Sequence, residues 1–251
     1  MSKVILIGID GLTQSSLKRS NTRNIDRLIK RGVLINDMIN ELPTYSRQNW
    51  GSMLSGVSVK RLEKNRYTSK TIFYHIRNRY PMSKTVMIYN WDKMYKIVRN
   101  DSVSYTKYCK NIDDIERNVF KYISKDPKFM FIHYDSVDQI GHSYGYDTMK
   151  YDKMVEKVDL SIGRIVNSLR KLNILDNYTI IVTSDHGGVG TGHGGNSQVE
   201  RRIPMIISGK RMNNYSVRVD KQLRIYDIAP TILQLLNIKT RYKLDGRSIL
   251  I

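Results

Sequence analysis

An α/β fold, with a mostly parallel central sheet flanked by helices on both faces, is predicted by three features of this sequence. Three short apolar runs, Lys3–Ile9, Phe129–Tyr134 and Tyr178–Thr183, read as buried strands. Each run ends in polar residues: Asp10-Gly11 after the first, Asp135 to His142 after the second, and Ser184-Asp185-His186-Gly187-Gly188 after the third. Between the runs, apolar residues recur at helical spacing, the alternation expected of a parallel sheet with crossover helices. Ligands of such sheets bind outside the C-terminal strand ends, so the polar tips mark the expected site.

The length of 251 residues and the apolar content of 40% suit one domain spanning residues 1–251, with 57–128 as its least informative and specificity-bearing region. Cys109 is the one cysteine, which excludes an internal disulfide framework. No apolar run approaches the roughly 20 residues that span a bilayer. The start carries no apolar signal region, so the expected setting is a soluble protein of the cytoplasm. The formal charge of +19 points to phosphate-rich partners or to a genome biased toward Lys and Asn. The basic residues are scattered, as in Lys18-Arg19 and Arg201-Arg202, and any single cluster reads as a solvated face.

In chain order, residues 22–31 place Ile25, Leu28 and Ile29 at helical spacing, with Asn21 or Thr22 as N-cap and Gly32 as the stop. Pro43 and Gly56 bracket a short helix with Ser46 at or near its N-terminus. Weaker signals follow: a helix over 69–80, a strand over 84–89, a short helix over 91–98, and a helix over 112–124 with Ile115, Val119, Phe120 and Ile123 on its core face. These continue one sheet rather than form a separate unit. Residues 147–172 form a long helix with Met154, Val158, Ile162, Ile165 and Leu169 as its core stripe. Residues 203–209 are a strand and 225–236 a helix, with Pro230 in its first turn.

The chemistry gathers around residues 184–195. Asp185 and His186 leave their strand side by side, and His193 follows on a glycine-rich loop that brings backbone close to an ion or a phosphate. A carboxylate with two imidazoles suits a divalent transition metal better than calcium or magnesium. A glycine-rich turn with surface histidines is the plain alternative. Ser46 reads either as a helix N-cap or as a nucleophile whose alkoxide the helix-end N–H groups favour.

In order along the chain, Gly8-Ile9-Asp10-Gly11, Pro43-Thr44-Tyr45-Ser46-Arg47-Gln48-Asn49, Asp138-Gln139-Ile140-Gly141-His142, Ser184-Asp185-His186-Gly187 and His193-Gly194 resemble the motifs of the alkaline phosphatase superfamily. Within it, the type I phosphodiesterase/nucleotide pyrophosphatase group is the best match, and segments 203–209, 227–233 and 245–249 are similar to closing elements of that fold. The resemblance implies an alkaline phosphatase-like fold and two divalent metal ions, usually zinc. Asp138, His142 and His193 would hold one ion, and Asp10, Ser46, Asp185 and His186 the other. It further implies that Ser46 attacks phosphorus to form a phosphoserine, its hydroxyl activated by metal coordination. Asn49 and the backbone N–H of Arg47 would donate to a non-bridging oxygen.

The chain departs from that group in having Ser46 where Thr is usual and Trp50 where His follows the Asn. Both alcohols support the same chemistry. Thr44 lacks an Asn three positions on and is the weaker candidate nucleophile, with a mild effect expected on its loss. A sulfatase would need Pro where this chain has Gln48. His75 and His133 fall outside the motifs and are expected in supporting roles. The expected substrate is a phosphate-ester small molecule, nucleotide-like or another polyanion, cleaved at a phosphodiester or pyrophosphate bond. Only Arg47 is at hand for the extra charge of a monoester, whereas Tyr45, Trp50, Tyr144 and Tyr146 could wall a diester's second substituent. The alternatives are a phosphomonoesterase of the same superfamily and a non-catalytic phosphate- or nucleic-acid-binding protein with this fold.

Overall fold

The computed structural model describes residues 2–98, 101–218 and 222–251. From β1 (Lys3–Ile9) the chain runs through α1 (Gln14–Arg19) and α2 (Arg23–Lys30) into β2 (Gly32–Ile39). Next, α3 (Ser46–Ser55), α4 (Val59–Lys64) and α5 (Ile72–Arg79) lead to β3 (Thr85–Tyr89), α6 (Met94–Val98) and β4 (Tyr105–Tyr108). The second half begins with α7 (Ile112–Ile123), β5 (Phe129–Tyr134), α8 (Ser136–Tyr144) and the long α9 (Met149–Lys171). It closes with β6 (Tyr178–Thr183), α10 (Gln198–Arg201), β7 (Arg202–Ser208) and α11 (Ile228–Leu235).

The strands form one seven-stranded sheet in the order β2-β7-β6-β1-β5-β3-β4. From β6 to β4 all pairs are parallel, while β7 is antiparallel to both β6 and β2. The expected α/β architecture is therefore present, and residues 57–128 add β3 and β4 to the same sheet. Along β1 the side chains alternate, Val4 and Leu6 entering one apolar cluster and Ile5, Ile7 and Ile9 the other. Trp50, Met53, Phe73 and Ile232 cover the first face; Ile25, Ile115, Val119, Val158 and Ile162 cover the second. Helices on both faces leave β1, β5 and β6 buried along almost their whole length, which is why these strands read as continuous apolar runs.

The structure departs from the sequence reading where local pattern competes with long-range contact. Both sheet edges went unpredicted. Asn36 and Asp37 break the alternation of β2 at a register shift between Ile35 and Met38, and β4 is only four residues long and largely exposed. The helix stops just before Gly32 as expected, with Arg31 as its C-cap, and Gly32 also opens β2, where a Cβ would lie 2.0 Å from the Ile207 carbonyl oxygen. Thr22 is the N-cap of α2 but makes no side-chain cap bond. Asp159 of α9 does so, accepting from the N–H of Asn24 at 3.1 Å and of Ile25 at 2.8 Å. Phe120 is 38% exposed, at the margin of α7 rather than on its core face. Among the described residues, no helix is long and apolar enough to cross a membrane.

Candidate active site

Three adjacent strands, β6, β1 and β5, end at the same edge of the sheet and deliver the polar tips together. Asp10 follows β1, and Ser184 to His186 follow β6. After β5 the chain turns at once into α8, which places Asp138 and His142 one helical turn apart, with His142 Nε2 3.1 Å from Asp138 Oδ2. Ser46 is the first residue of α3. Its N-cap, Tyr45, makes no side-chain cap bond, and the first helical bond runs from Asn49 N–H to the Tyr45 carbonyl. The amides of Ser46, Arg47 and Gln48 precede that bond and form an anion-favouring helix end.

The three histidines share one orientation. Nδ1–H donates to a backbone carbonyl in each: His142 to Thr191 at 2.9 Å, His186 to Gly187 at 2.9 Å and His193 to Thr44 at 2.7 Å. In the neutral ring Nε2 is thereby the lone-pair nitrogen, as in a metal-ligating imidazole. His186 Nε2 lies 3.1 Å from Ser46 Oγ and 3.3 Å from both Asp10 Oδ1 and Asp185 Oδ2. His193 Nε2 meets His142 Nε2 at 3.2 Å, a contact that needs either a proton on one of the two nitrogens or a cation between them. Asp185 Oδ2 is buried with no hydrogen-bond partner. These observations fit a divalent transition metal.

Among the described residues, two groups could hold an ion with ligand atoms within 4.8 Å of one another: Asp138 with His142 and His193, and Asp10 with Asp138 and His186. The first has the composition read from the sequence. In the second, Asp138 stands beside Asp10 and His186, so this carboxylate lies between two positions where the sequence reading gave it to one. Ser46 and Asp185 adjoin the second group through His186 Nε2.

A supporting layer fixes these side chains. Asp10 Oδ2 accepts from Trp50 Nε1 at 2.9 Å and bonds His133 Nε2 at 3.0 Å, which leaves Oδ1 facing His186. The approach of Trp50 requires Gly8, since a Cβ there would lie 2.3 Å from the indole ring. Tyr146 OH likewise holds Asp138 Oδ1 and leaves Oδ2 to His142. Trp50 and Tyr146, expected as walls for a substrate group, are therefore buried ligand-orienting residues, while Tyr45 and Tyr144 remain half exposed.

Asn49 also differs from expectation. Its Oδ1 accepts from Glu41 N–H at 2.8 Å and its Nδ2 donates to the carbonyls of Glu41 at 3.1 Å and Pro43 at 3.2 Å. The buried amide is taken up in clamping loop 41–45 onto α3, which corrects its reading as a donor to substrate oxygen. Thr44, read as a weak nucleophile, is fully buried and acts as a pin: Oγ1 accepts from Gly194 N–H at 2.8 Å and donates to the Gly195 carbonyl at 3.2 Å. Asn40 makes a parallel link, its Nδ2 donating to the carbonyls of Asp185 and Glu200, each at 3.0 Å. Neither pin has a local sequence signal, because the partners lie about 150 residues away.

The electrostatics reflect the crowding. Burial opposes charge on Asp10, yet hydrogen bonds with His133 and His186 hold its carboxyl well below the usual range. For Asp185, burial and then the charge of Asp10 push the carboxyl up. Burial also opposes charge on His186, but Asp185 and Asp10 outweigh it and push the imidazole up to about 10. The hydrogen bond to Asp138 pushes His142 up to about 9. In the metal-free protein these imidazoles hold protons at neutral pH in the place of a cation.

The chain matches the family described as type I phosphodiesterase / nucleotide pyrophosphatase over residues 4–63 and 58–201. It is 31% identical over 128 residues to the 2,3-bisphosphoglycerate-independent phosphoglycerate mutase of Pseudomonas fluorescens, covering 49% of this chain and 23% of that protein. Over 102 residues it is 34% identical to the extracellular sulfatase SULF-1 homolog of Drosophila melanogaster, covering 38% of this chain and 9% of that protein. The chain thus spans less than a quarter of the length of either relative. In fold it is similar to an inactive variant of murine ectonucleotide pyrophosphatase / phosphodiesterase 5 in complex with AMP, with a TM-score of 0.79, 14% identity and 100% coverage of both chains.

Two outcomes are expected from this geometry. Because His142 and His186 are raised above the ordinary 6.5, the stability they contribute is complete below 6.5 and is lost as pH climbs through about 9 and about 10. Chelator-treated protein should therefore melt at progressively lower temperature over that range. Zinc-loaded protein should not, so the gap between the two widens with pH; a gap that is constant in scanning fluorimetry contradicts the assignment. Thr44→Val, which keeps shape but loses the hydroxyl, should weaken zinc binding by about 10- to 100-fold in chelator competition, and Thr44→Ser should restore it.

Proposed function

The chain belongs to the type I phosphodiesterase / nucleotide pyrophosphatase family of the alkaline phosphatase superfamily, and from that premise we propose that it is a metal-dependent hydrolase acting through Ser46. Its substrates in this reading are nucleotide-like compounds cleaved at phosphodiester or pyrophosphate bonds. The observation that carries the reading is the place of Ser46 Oγ, at the uncapped N-terminus of α3, 3.1 Å from His186 Nε2 and 3.4 Å from Asp10 Oδ1. AMP in the murine structure supports the nucleotide-like class.

Two divalent ions, zinc in this reading, would be held by Asp138, His142 and His193 and by Asp10, Ser46, Asp185 and His186, and would supply the charge that lowers the serine pKa and offsets negative charge on the phosphoryl group. The chain's own residues do the rest. Ser46, entering as the alkoxide, attacks phosphorus; the P–O bond to the leaving group breaks as the P–O bond to Ser46 forms. Water then displaces Ser46 and releases the phosphate product. The amides of Arg47 and Gln48 at the helix end are placed to donate to non-bridging oxygens, the task first ascribed to Asn49. His133 and Trp50 keep Asp10 oriented throughout, and Thr44 keeps His193 in register with Ser46. Arg47 is held over the Tyr67 ring at 4.2 Å, and the exposed Tyr45 meets His193 edge-on at 6.0 Å. One stacked cation and an aromatic surface beside the serine favour a diester over a monoester.

Ser46→Ala is expected to lower kcat by at least about 1,000-fold while zinc content and melting profile are retained. Acid-quenched wild type should carry phosphate on Ser46 by mass spectrometry; an adduct on Thr44, or a fully active Ser46→Ala protein, defeats the mechanism. The kcat/KM for bis-p-nitrophenyl phosphate and for the p-nitrophenyl ester of thymidine monophosphate should exceed that for p-nitrophenyl phosphate. A monoester preference above about tenfold, some 1.4 kcal/mol of transition-state binding, makes the protein a phosphomonoesterase instead.

A further inference from the structure

Beside the active-site loop, at the β2 edge of the sheet, lies a cleft of about 410 Å³ lined by Ile39, Asn196, Gln198, Arg201, Arg202 and Arg224 among others. Strand pairing builds it. Ile39, the last residue of β2, pairs with Arg202 on one side and bridges to Arg224 on the other. Directly paired residues project to the same face of a sheet, so the two arginines flank Ile39 in one row. Arg201, the last residue of α10, is steadied at the same cleft by Nη1 on Asn196 Oδ1 at 2.9 Å and Nη2 on the Asn40 carbonyl at 3.4 Å. Among the described residues, two carboxylates oppose these guanidinium groups. Asp37 pairs with Arg202 at 3.1 Å in an exposed contact, and Glu41 lies 4.0 Å from Arg224, beyond hydrogen-bond reach. Planar guanidinium forks with amide side chains between them are the chemistry that binds phosphate oxygens.

The cleft is wired to the reaction site. Asn40 offers its carbonyl to Arg201 and its Nδ2 to the Asp185 carbonyl at 3.0 Å, so one residue separates the arginines from the loop carrying Asp185 and His186. We propose that this cleft binds a second phosphate group, remote from the one being cleaved, and that the preferred substrates are elongated polyanions. As a statement about substrate it rests on the hydrolase reading; as a statement about binding it does not.

The test separates the two. Binding of 5′-fluorescein-labelled octathymidylate to zinc-supplemented Ser46→Ala protein is followed by anisotropy, with and without Arg202→Gln and Arg224→Gln together. The double variant should weaken binding by about tenfold or more, and the slope of log K against log salt should flatten by about 1.4, at roughly 0.7 per lost phosphate contact. Displacement of the label by tripolyphosphate in the intact cleft assigns the site to phosphate groups in general; displacement only by unlabelled octathymidylate assigns it to a phosphodiester chain. In the background with Ser46 intact, the double variant should turn over bis-p-nitrophenyl phosphate within twofold of wild type, which also reports an intact fold. The proposal is overturned if affinity and salt slope are unchanged in the double variant, or if turnover of the short reporter falls in parallel with binding. Cleft-dependent binding without cleavage of any phosphate ester, mono- or diester, would leave the cleft standing and remove the hydrolase reading.

Discussion

Carboxylate oxygens and imidazole lone pairs repel one another, and this chain gathers Asp10, Asp138, Asp185, His142, His186 and His193 at one end of its sheet with Asp10, Asp185 and His186 wholly buried. Such a cluster is tolerable only when positive charge sits inside it. Protons on His186 and His142 meet that need in the metal-free protein, and divalent ions meet it better because they coordinate several donors at once. Asp185 Oδ2, which has no hydrogen-bond partner and only the 3.3 Å contact with His186 Nε2, and the facing Nε2 atoms of His142 and His193 are signs of this requirement.

Holding that cluster in place explains much of the surrounding structure. Every donor is tied at its second atom: the Nδ1–H groups to backbone carbonyls, Asp10 to Trp50 and His133, and Asp138 to Tyr146. Gly8 exists as a glycine so that Trp50 can reach Asp10 across the sheet face. Thr44 and Asn40 then lock the loop after β6 to the loop before α3, which couples the position of Ser46 to that of Asp185, His186 and His193. Removing such an outer tie frees the ring or carboxylate to rotate, so in the proposed metal-dependent reading these contacts act on metal affinity rather than on the core.

The same arrangement gives the surface its meaning. A helix end with open amides, an arginine stacked on a tyrosine beside the serine, and a row of arginines along the neighbouring sheet edge all favour phosphate oxygens.

The sequence by itself determined the α/β class, the buried strands and the residues at their tips, because doubly covered strands must be apolar and candidate metal ligands come from a few side-chain types, His and Asp among them. The five motifs were legible through their resemblance, in order along the chain, to those of a known superfamily. Only the tertiary structure decided what each side chain is for. Trp50, Tyr146, Asn49 and Thr44 all stand inside or next to motifs, yet their roles come from partners that the fold brings up from as far as 150 residues away or that a local turn folds back. The edge strands β2 and β4 were hidden likewise, since half-exposed strands carry polar residues that erase the period of two. Hydrogen bonds between distant segments leave no periodicity in a chain, and they are what turned a set of plausible ligands into an oriented site.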